Sequence, residues 1–364
     1  MSSNGDPGYG THPLPGPPPQ AGEGNSLRSR QNLPPPSRGR AGVGAADARG
    51  SRETVVAAAV LVLVLVGVPW LNPGYRFLSV AISTGTVAIT LYGLALLFGQ
   101  AGIMSVGHAA LMGVGAYTAA ILSMRLGMGL WSALPFSMFM AALAAALIGL
   151  PALRVSGHHF VIITYAFCTL LAIVLTNGGS FTGGATGLDV EPVGTVLGIN
   201  MDRLRNYYLL VIAALLASML ATYLISASGY GRTLRSIREN EPLARAVGIN
   251  TGLHKVGAFM MSGAFAGAAG IFQAYYLRHI SPTLYGGLPS LYIAMSVMLG
   301  GARTLYGPLG GAIIVNFLPE ILNIDPVDSR IAYGAGLVAV ILLLPRGMVD
   351  GLIGLYRWAA RQRA

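Results

Sequence analysis

Residues 229–248 read GYGRTLRSIRENEPLARAVG and gather charge in a chain of which only 10% is charged. Arg232, Arg235, Arg238 and Arg245 stand there beside Glu239 and Glu241. Such residues recognise charge: they make ion pairs and charge-assisted hydrogen bonds to something soluble that docks. The spacing puts Arg232, Arg235 and Arg238 at i, i+3 and i+6, roughly one helical face. Asn240 is placed to cap a second short helix, with Pro242 tolerated in its first turn. Gly248 is placed to end that helix. The alternative is an ordinary cytoplasmic loop that is basic because of the positive-inside rule.

A second stretch offers space rather than charge. Residues 99–117 read GQAGIMSVGHAALMGVGAY, with glycine at 99, 102, 107, 113 and 115. Glycine this dense permits unwound backbone or close helix approach. Ser105 and His108 sit where that backbone could line a cavity. Packing through small residues is the competing reading, and it is the expected role of Gly263-xxx-Gly267 and Gly307-xxx-Gly311. FTGGATGL (181–188), with Thr182, Gly183 and Gly184, suits a compact turn in the longest external loop.

These stretches are set among apolar runs. Hydrophobic residues make up 54% of the 364-residue chain, and mean hydropathy is +0.63. Ten candidate membrane spans are expected, near 55–71, 77–98, 107–124, 130–152, 159–176, 207–227, 256–277, 289–302, 308–322 and 331–345. Several are short or interrupted by Gly or Pro, as in transporters whose broken helices line a cavity. The fold class is therefore all-α, a polytopic transmembrane helical bundle. Residues 1–53 are Pro- and Gly-rich with six Arg and are expected to be a disordered cytoplasmic tail. The transmembrane domain is expected over 54–346, with a cytoplasmic loop at 229–255, and 347–364 are expected to form a cytoplasmic C-terminal segment.

Charge placement sets the expected orientation. With the N-terminus inside and ten alternating spans, 17 of the 23 basic residues fall inside and 6 outside. Both termini are thus expected in the cytoplasm.

Several chemistries are disfavoured. No Asp or Glu lies between Glu53 and Asp189, whereas proton-coupled carriers need ionisable groups within their spans. A sodium site made of carbonyls escapes this test, so a stand-alone secondary carrier stays open. The sole lysine, Lys255, follows His254 and precedes Val256, so no P-loop is present. No HExxH occurs, and the adjacent His158 and His159 lack a nearby carboxylate, which favours interface anchoring over a metal site. No catalytic residue, cofactor or metal is expected. The net charge of +10 lies in loops and tails and is not a nucleic-acid footprint. A single cysteine, Cys168, rules out an intrachain disulfide.

Four blocks together resemble the LivM-type permeases of branched-chain amino acid ABC importers. They are FGQAGIMSVGHAALMGVGAYTAAIL (98–122), LRVSGHHFVIITYAF (153–167) followed by FTGGATGL, GRTLRSIRENEPLARAVGIN (231–250) with its sequel to residue 270, and SVMLGGARTLYGPLGGA (296–312). The resemblance covers about residues 77–345. It implies a transport subunit, not an enzyme, in the bacterial plasma (inner) membrane. It further implies a second, similar permease, two ATP-binding subunits, and a periplasmic or lipid-anchored substrate-binding protein, all amid membrane lipid. The 229–248 hairpin matches the segment that docks on the ATPases, with Gly231, Arg232, Arg238, Glu239 and Gly248 on characteristic positions; Arg235 and Glu241 join them. The pathway is expected along Gly99, Gly102, Ser105, Gly107 and His108, with Thr182, Gly183 and Gly184. The family commonly has Tyr-Ala-Gly-Gln where this chain has Gln100-Ala101-Gly102-Ile103, and a glycine where Arg303 stands. Leucine, isoleucine and valine are the implied cargo, with urea, an amide or a sugar as alternatives.

Overall fold

The computed structural model describes residues 63, 65–71, 74–153, 158–196, 199–321 and 335. The tail over 1–53, most of the expected spans 55–71 and 331–345, and the segment 347–364 lie outside the described residues.

Helix α1 (Tyr75–Ala95) continues as a π turn over Leu96–Gln100. A non-helical segment follows, and α2 begins at His108 and runs to Leu126. Gly127 ends α2 in the left-handed conformation, φ 61°, which a Cβ would penalise. Then come α3 (Leu130–Ala152), α4 (His158–Asn177), β1 (Leu188–Asp189), β2 (Thr195–Val196), β3 (Ile199–Asn200) and α5 (Leu204–Ala227). The charged hairpin forms α6 (Gly229–Glu239) and α7 (Glu241–Ala246). Helix α8 (Thr251–Leu277), β4 (His279–Ile280), α9 (Gly287–Gly300) and α10 (Gly307–Ala312) follow. A π turn over Ile313–Phe317 leads into α11 (Leu318–Ile321).

Seven of the described helices are long and apolar enough to cross a membrane, and they coincide with the seven spans expected between residues 77 and 302. The expected span 308–322 is a shorter apolar piece, with the helix Gly307–Phe317 interrupted by its π turn.

Helix α8 is the central post. It packs on α2 and α3, while α1 packs on both α5 and α8. Small residues make this possible, since lipid supplies no hydrophobic drive and close backbone approach must hold the bundle. A Cβ on Gly263 would lie 2.8 Å from the Ala141 carbonyl oxygen, and one on Gly267 would lie 2.5 Å from that of Ser137. The Gly263-xxx-Gly267 stripe is therefore a packing face against α3, as its spacing predicts. Gly307 and Gly311 likewise meet the backbone of α9 and the turn after it, at Gly301 and Ser296.

The 27 residues of α8 span roughly 40 Å at about 1.5 Å each, enough to separate two faces. At its N-terminal end sits the hairpin, with the Tyr230 hydroxyl donating to the His254 carbonyl at 2.7 Å. At its C-terminal end, β4 pairs antiparallel with β1, Leu188 opposite Ile280. The face opposite the hairpin also holds Arg125 over the Phe181 ring at 4.8 Å, the Arg278–Asp202 ion pair at 3.0 Å, and Arg76 donating to the Glu320 carbonyl at 2.6 Å. The chain thus sorts its charges onto two faces, as alternating spans require.

Candidate functional site

The hairpin is built by local signals. Ser228 caps α6, its Oγ accepting from Gly231 N at 3.3 Å. Asn240 caps α7, its Oδ1 accepting from Leu243 N at 3.0 Å, with Pro242 in the first turn. Gly248 follows α7 with φ 88°. Leu234 and Ile237 are buried and turn one side of α6 toward the bundle.

The arginines divide along that helix. Arg235 Nη1 donates to Gln100 Oε1 and to the Ser226 carbonyl, each at 2.9 Å. Arg238 Nη1 donates to the Gly99 carbonyl. Arg232 is exposed and, among the described residues, bonds only locally, to the Ala227 carbonyl at 3.1 Å. Burial, helped by the facing Arg303, depresses the Arg238 guanidinium's pKa. Glu239 is exposed and makes no ion pair among the described residues. Glu241 carries the carboxylate chemistry of the hairpin, holding Lys255 at 2.6 Å and Arg245 at 2.8 Å. Burial pushes its carboxyl up, but the Lys255 and Arg245 contacts outweigh this and hold it below the usual carboxylate range.

Arg235 and Arg238 tie the hairpin to the break between α1 and α2. Gly102 lies in that break with φ 73°, and a Cβ there would sit 2.5 Å from Arg238 Cγ. Its glycine is required twice, by backbone conformation and by the side chain across from it. Deeper in, unwound backbone at membrane depth must find partners in the protein. Val106 N donates to Thr164 Oγ1 of α4 at 3.1 Å, and the Cys168 thiol donates to the Val106 carbonyl at 3.3 Å. Ala109 N donates to Ser290 Oγ of α9 at 3.0 Å. Ser105 is fully buried, its Oγ accepting from Gly107 N at 3.2 Å. His108 Nε2 and Ser262 Oγ of α8 share a hydrogen bond of 2.6 Å.

A cavity of about 250 Å³ opens between hairpin and break, lined by Gly102, Ile103, Met104 and Phe160 on one side and Arg238, Glu241 and Lys255 on the other. Gly99, Gly102, Ser105, Gly107 and His108 are therefore one continuous structure that begins at the hairpin face and runs inward. Thr182, Gly183 and Gly184 are not brought to it. They form a compact turn on the opposite face, with Thr182 Oγ1 donating to the Leu175 carbonyl at 2.6 Å and both glycines at positive φ.

Sequence reading missed Lys255, Gln100, Thr164, Ser262 and Ser290. For Thr164, Ser262 and Ser290 the available signal was small polar residues inside apolar spans, which need partners and so mark unwound backbone nearby. Gln100 stands at one departure from the family pattern, and its side chain meets Arg235 of the hairpin.

A bundle of apolar helices, interrupted by protein-satisfied backbone and carrying a charged hairpin at one face, defines a polytopic membrane permease. A family model described as "Branched-chain amino acid transport system / permease component" matches residues 76–344, and the chain belongs to that family. It is 29% identical over 296 residues to the high-affinity branched-chain amino acid transport system permease protein LivM of Escherichia coli (strain K12), covering 74% of this chain and 70% of that protein. It is 24% identical over 310 residues to the ribose import permease protein RbsC of Haemophilus influenzae, covering 81% and 92%. It is 26% identical over 186 residues to the autoinducer 2 import system permease protein LsrC of Salmonella paratyphi B, covering 50% and 51%. The chain is an ABC importer permease, a multi-pass transport subunit and not an enzyme, and ATP hydrolysis belongs to separate ATP-binding subunits.

Proposed function

We propose that this chain forms part of the path for branched-chain amino acids, moving them by alternating access across a bacterial plasma membrane. The observation that carries this reading is the inward turn of Arg235 and Arg238, which join the hairpin to Gln100 and Gly99 at the broken end of α1. A push on the hairpin then reaches the unwound segment without passing through a flexible linker. Two ATP-binding subunits dock at the hairpin, a second permease subunit completes the path, and a periplasmic or lipid-anchored binding protein delivers cargo at the opposite face, near Thr182–Gly184. Arg232 and Glu239, exposed on α6, are the charges left to meet the ATPase. Both termini and the hairpin are cytoplasmic.

The LivM relative favours leucine, isoleucine and valine, and the ribose and autoinducer relatives favour a sugar-like cargo as the second reading. Reconstitution of the complete complex in liposomes tests both. The expected result is ATP-dependent uptake of labelled leucine, with labelled ribose excluded. Ribose uptake in its place overturns the cargo, and uptake driven by an ion gradient without ATP overturns the mechanism.

A further inference from the structure

A second cavity, of about 130 Å³, opens on the hairpin face between α1, α5 and the turn joining α9 to α10. It shares no lining residue with the cavity at Gly102. Arg303 lines it and no carboxylate does. Thr222, on its wall, is 8% exposed, and its hydroxyl finds no hydrogen-bond partner among the described residues. Gln100 and Ser226 line it too, both held by Arg235 through the Gln100 Oε1 and the Ser226 carbonyl. With Oε1 engaged by Arg235, the Gln100 amide NH2 keeps its capacity to donate. Among the described residues the lining therefore includes an arginine and a glutamine and no carboxylate, while the Thr222 hydroxyl oxygen is itself occluded. Arg303 also faces Arg238 closely enough to disfavour its charge, with Glu239 acting the other way on that guanidinium.

The height of the cavity narrows the ligand. Thr222, Tyr223 and Ser226 belong to the last turns of α5, a spanning helix that ends at Ala227. Tyr223 is 55% exposed at the rim, where aromatic residues mark the membrane–water interface. The anions concentrated at that level are lipid phosphates, and basic pockets between spanning helices recognise them. We propose that this cavity binds the phosphate of an anionic phospholipid headgroup through Arg303 and Gln100. Because Gln100 is bonded to Arg235, a bound lipid also steadies the hairpin helix.

Native mass spectrometry of the full chain tests this, counting phosphatidylglycerol retained against phosphatidylcholine from mixed micelles. The wild type should retain phosphatidylglycerol about fivefold better, and Arg303→Gln should remove that preference, the change one cation makes at a membrane surface. Arg303→Gly, the residue the family commonly has there, should remove the preference at unchanged thermal stability and decides the matter if Arg303→Gln fails to fold. Arg125→Gln, on the opposite face, should leave retention unchanged. Equal retention of both lipids by the wild type, or a preference that survives both cavity variants, overturns the proposal. Displacement of the lipid by inorganic phosphate at matched concentration also overturns it, by making the ligand a soluble anion.

Discussion

The guanidinium of Arg238 donates to the carbonyl oxygen of Gly99, 139 residues earlier in the chain. The acceptor is available because α1 loosens into a π turn over Leu96–Gln100, where the regular i→i−4 ladder is interrupted. The donor is a charged side chain on a helix whose apolar residues, Leu234 and Ile237, seat it against the bundle. A single contact thus joins the most polar element of the chain to the point where a spanning helix stops being helical.

Replacing Arg238 should uncouple the two. A hydrogen bond to a charged group contributes about 1.5–3 kcal/mol. Arg238→Gln is therefore expected to lower uptake per inserted molecule by roughly tenfold or more while membrane levels stay normal. Arg238→Lys should recover only part of it, because a lysine ammonium does not reproduce the planar guanidinium fork. Full uptake by Arg238→Gln in reconstituted complexes would exclude the coupling role.

Gly102→Ala should act through the same contact. Its φ of 73° costs an L-residue about 1–2 kcal/mol, and the added methyl would displace Arg238 Cγ. The expected outcome is reduced uptake with little loss of membrane level. Combined with Arg238→Gln, it should add much less than the sum of the two, since both remove one interaction. Additive losses in that double-mutant cycle would place Gly102 in an independent role.

The hairpin was legible in sequence because its signals are local. Ser228 was not singled out, but Asn240, Pro242 and Gly248 mark the second helix wherever they occur, and the structure places each in that role. The seven spans from 77 to 302 were legible because bilayer thickness fixes their length. The partners of the broken segment were not, since Thr164, Ser262 and Ser290 come from three other helices and nothing in their spacing names Val106, His108 or Ala109. That Thr182–Gly184 and the broken segment lie at opposite ends of α8 was not legible either, because local signals do not show distance along a bundle. Arg232, Arg235 and Arg238 share a spacing, yet two turn inward and one stays in solvent, because a roughly common face still spreads over a wide arc.

Glu241 gives the hairpin a pH dependence. Its pKa lies below the ordinary carboxylate value of 4.5, so the carboxylate is favoured in the folded hairpin. A lowered folded value contributes stability that is fully present above the unfolded pKa and is lost as pH falls through the folded pKa. Hydrogen exchange over residues 241–255, corrected for intrinsic rates, should stay slow from neutral pH down to about 5 and accelerate below about 4. Glu241→Gln should exchange faster already at pH 7, because Lys255 loses the carboxylate it meets at 2.6 Å. Identical protection of variant and wild type at neutral pH would show that Lys255 and Arg245 hold the hairpin without it.

The orientation of the two faces is open to a direct test. Seventeen of the 23 basic residues are expected on the side of the hairpin and the termini, which the positive-inside rule assigns to the cytoplasm. Cys168 is fully buried, so its replacement by alanine yields a background without a native thiol, at the cost of its contacts to Val106 and Ser290. Ser236 is exposed on α6 and Thr195 is exposed in the loop on the opposite face, so each can carry an introduced cysteine that a reagent reaches. An impermeant thiol reagent added to intact cells should label Thr195→Cys and spare Ser236→Cys, and opening the cells should make both react. Labelling of Ser236→Cys from outside would invert the topology and remove the hairpin from the reach of any cytoplasmic ATPase.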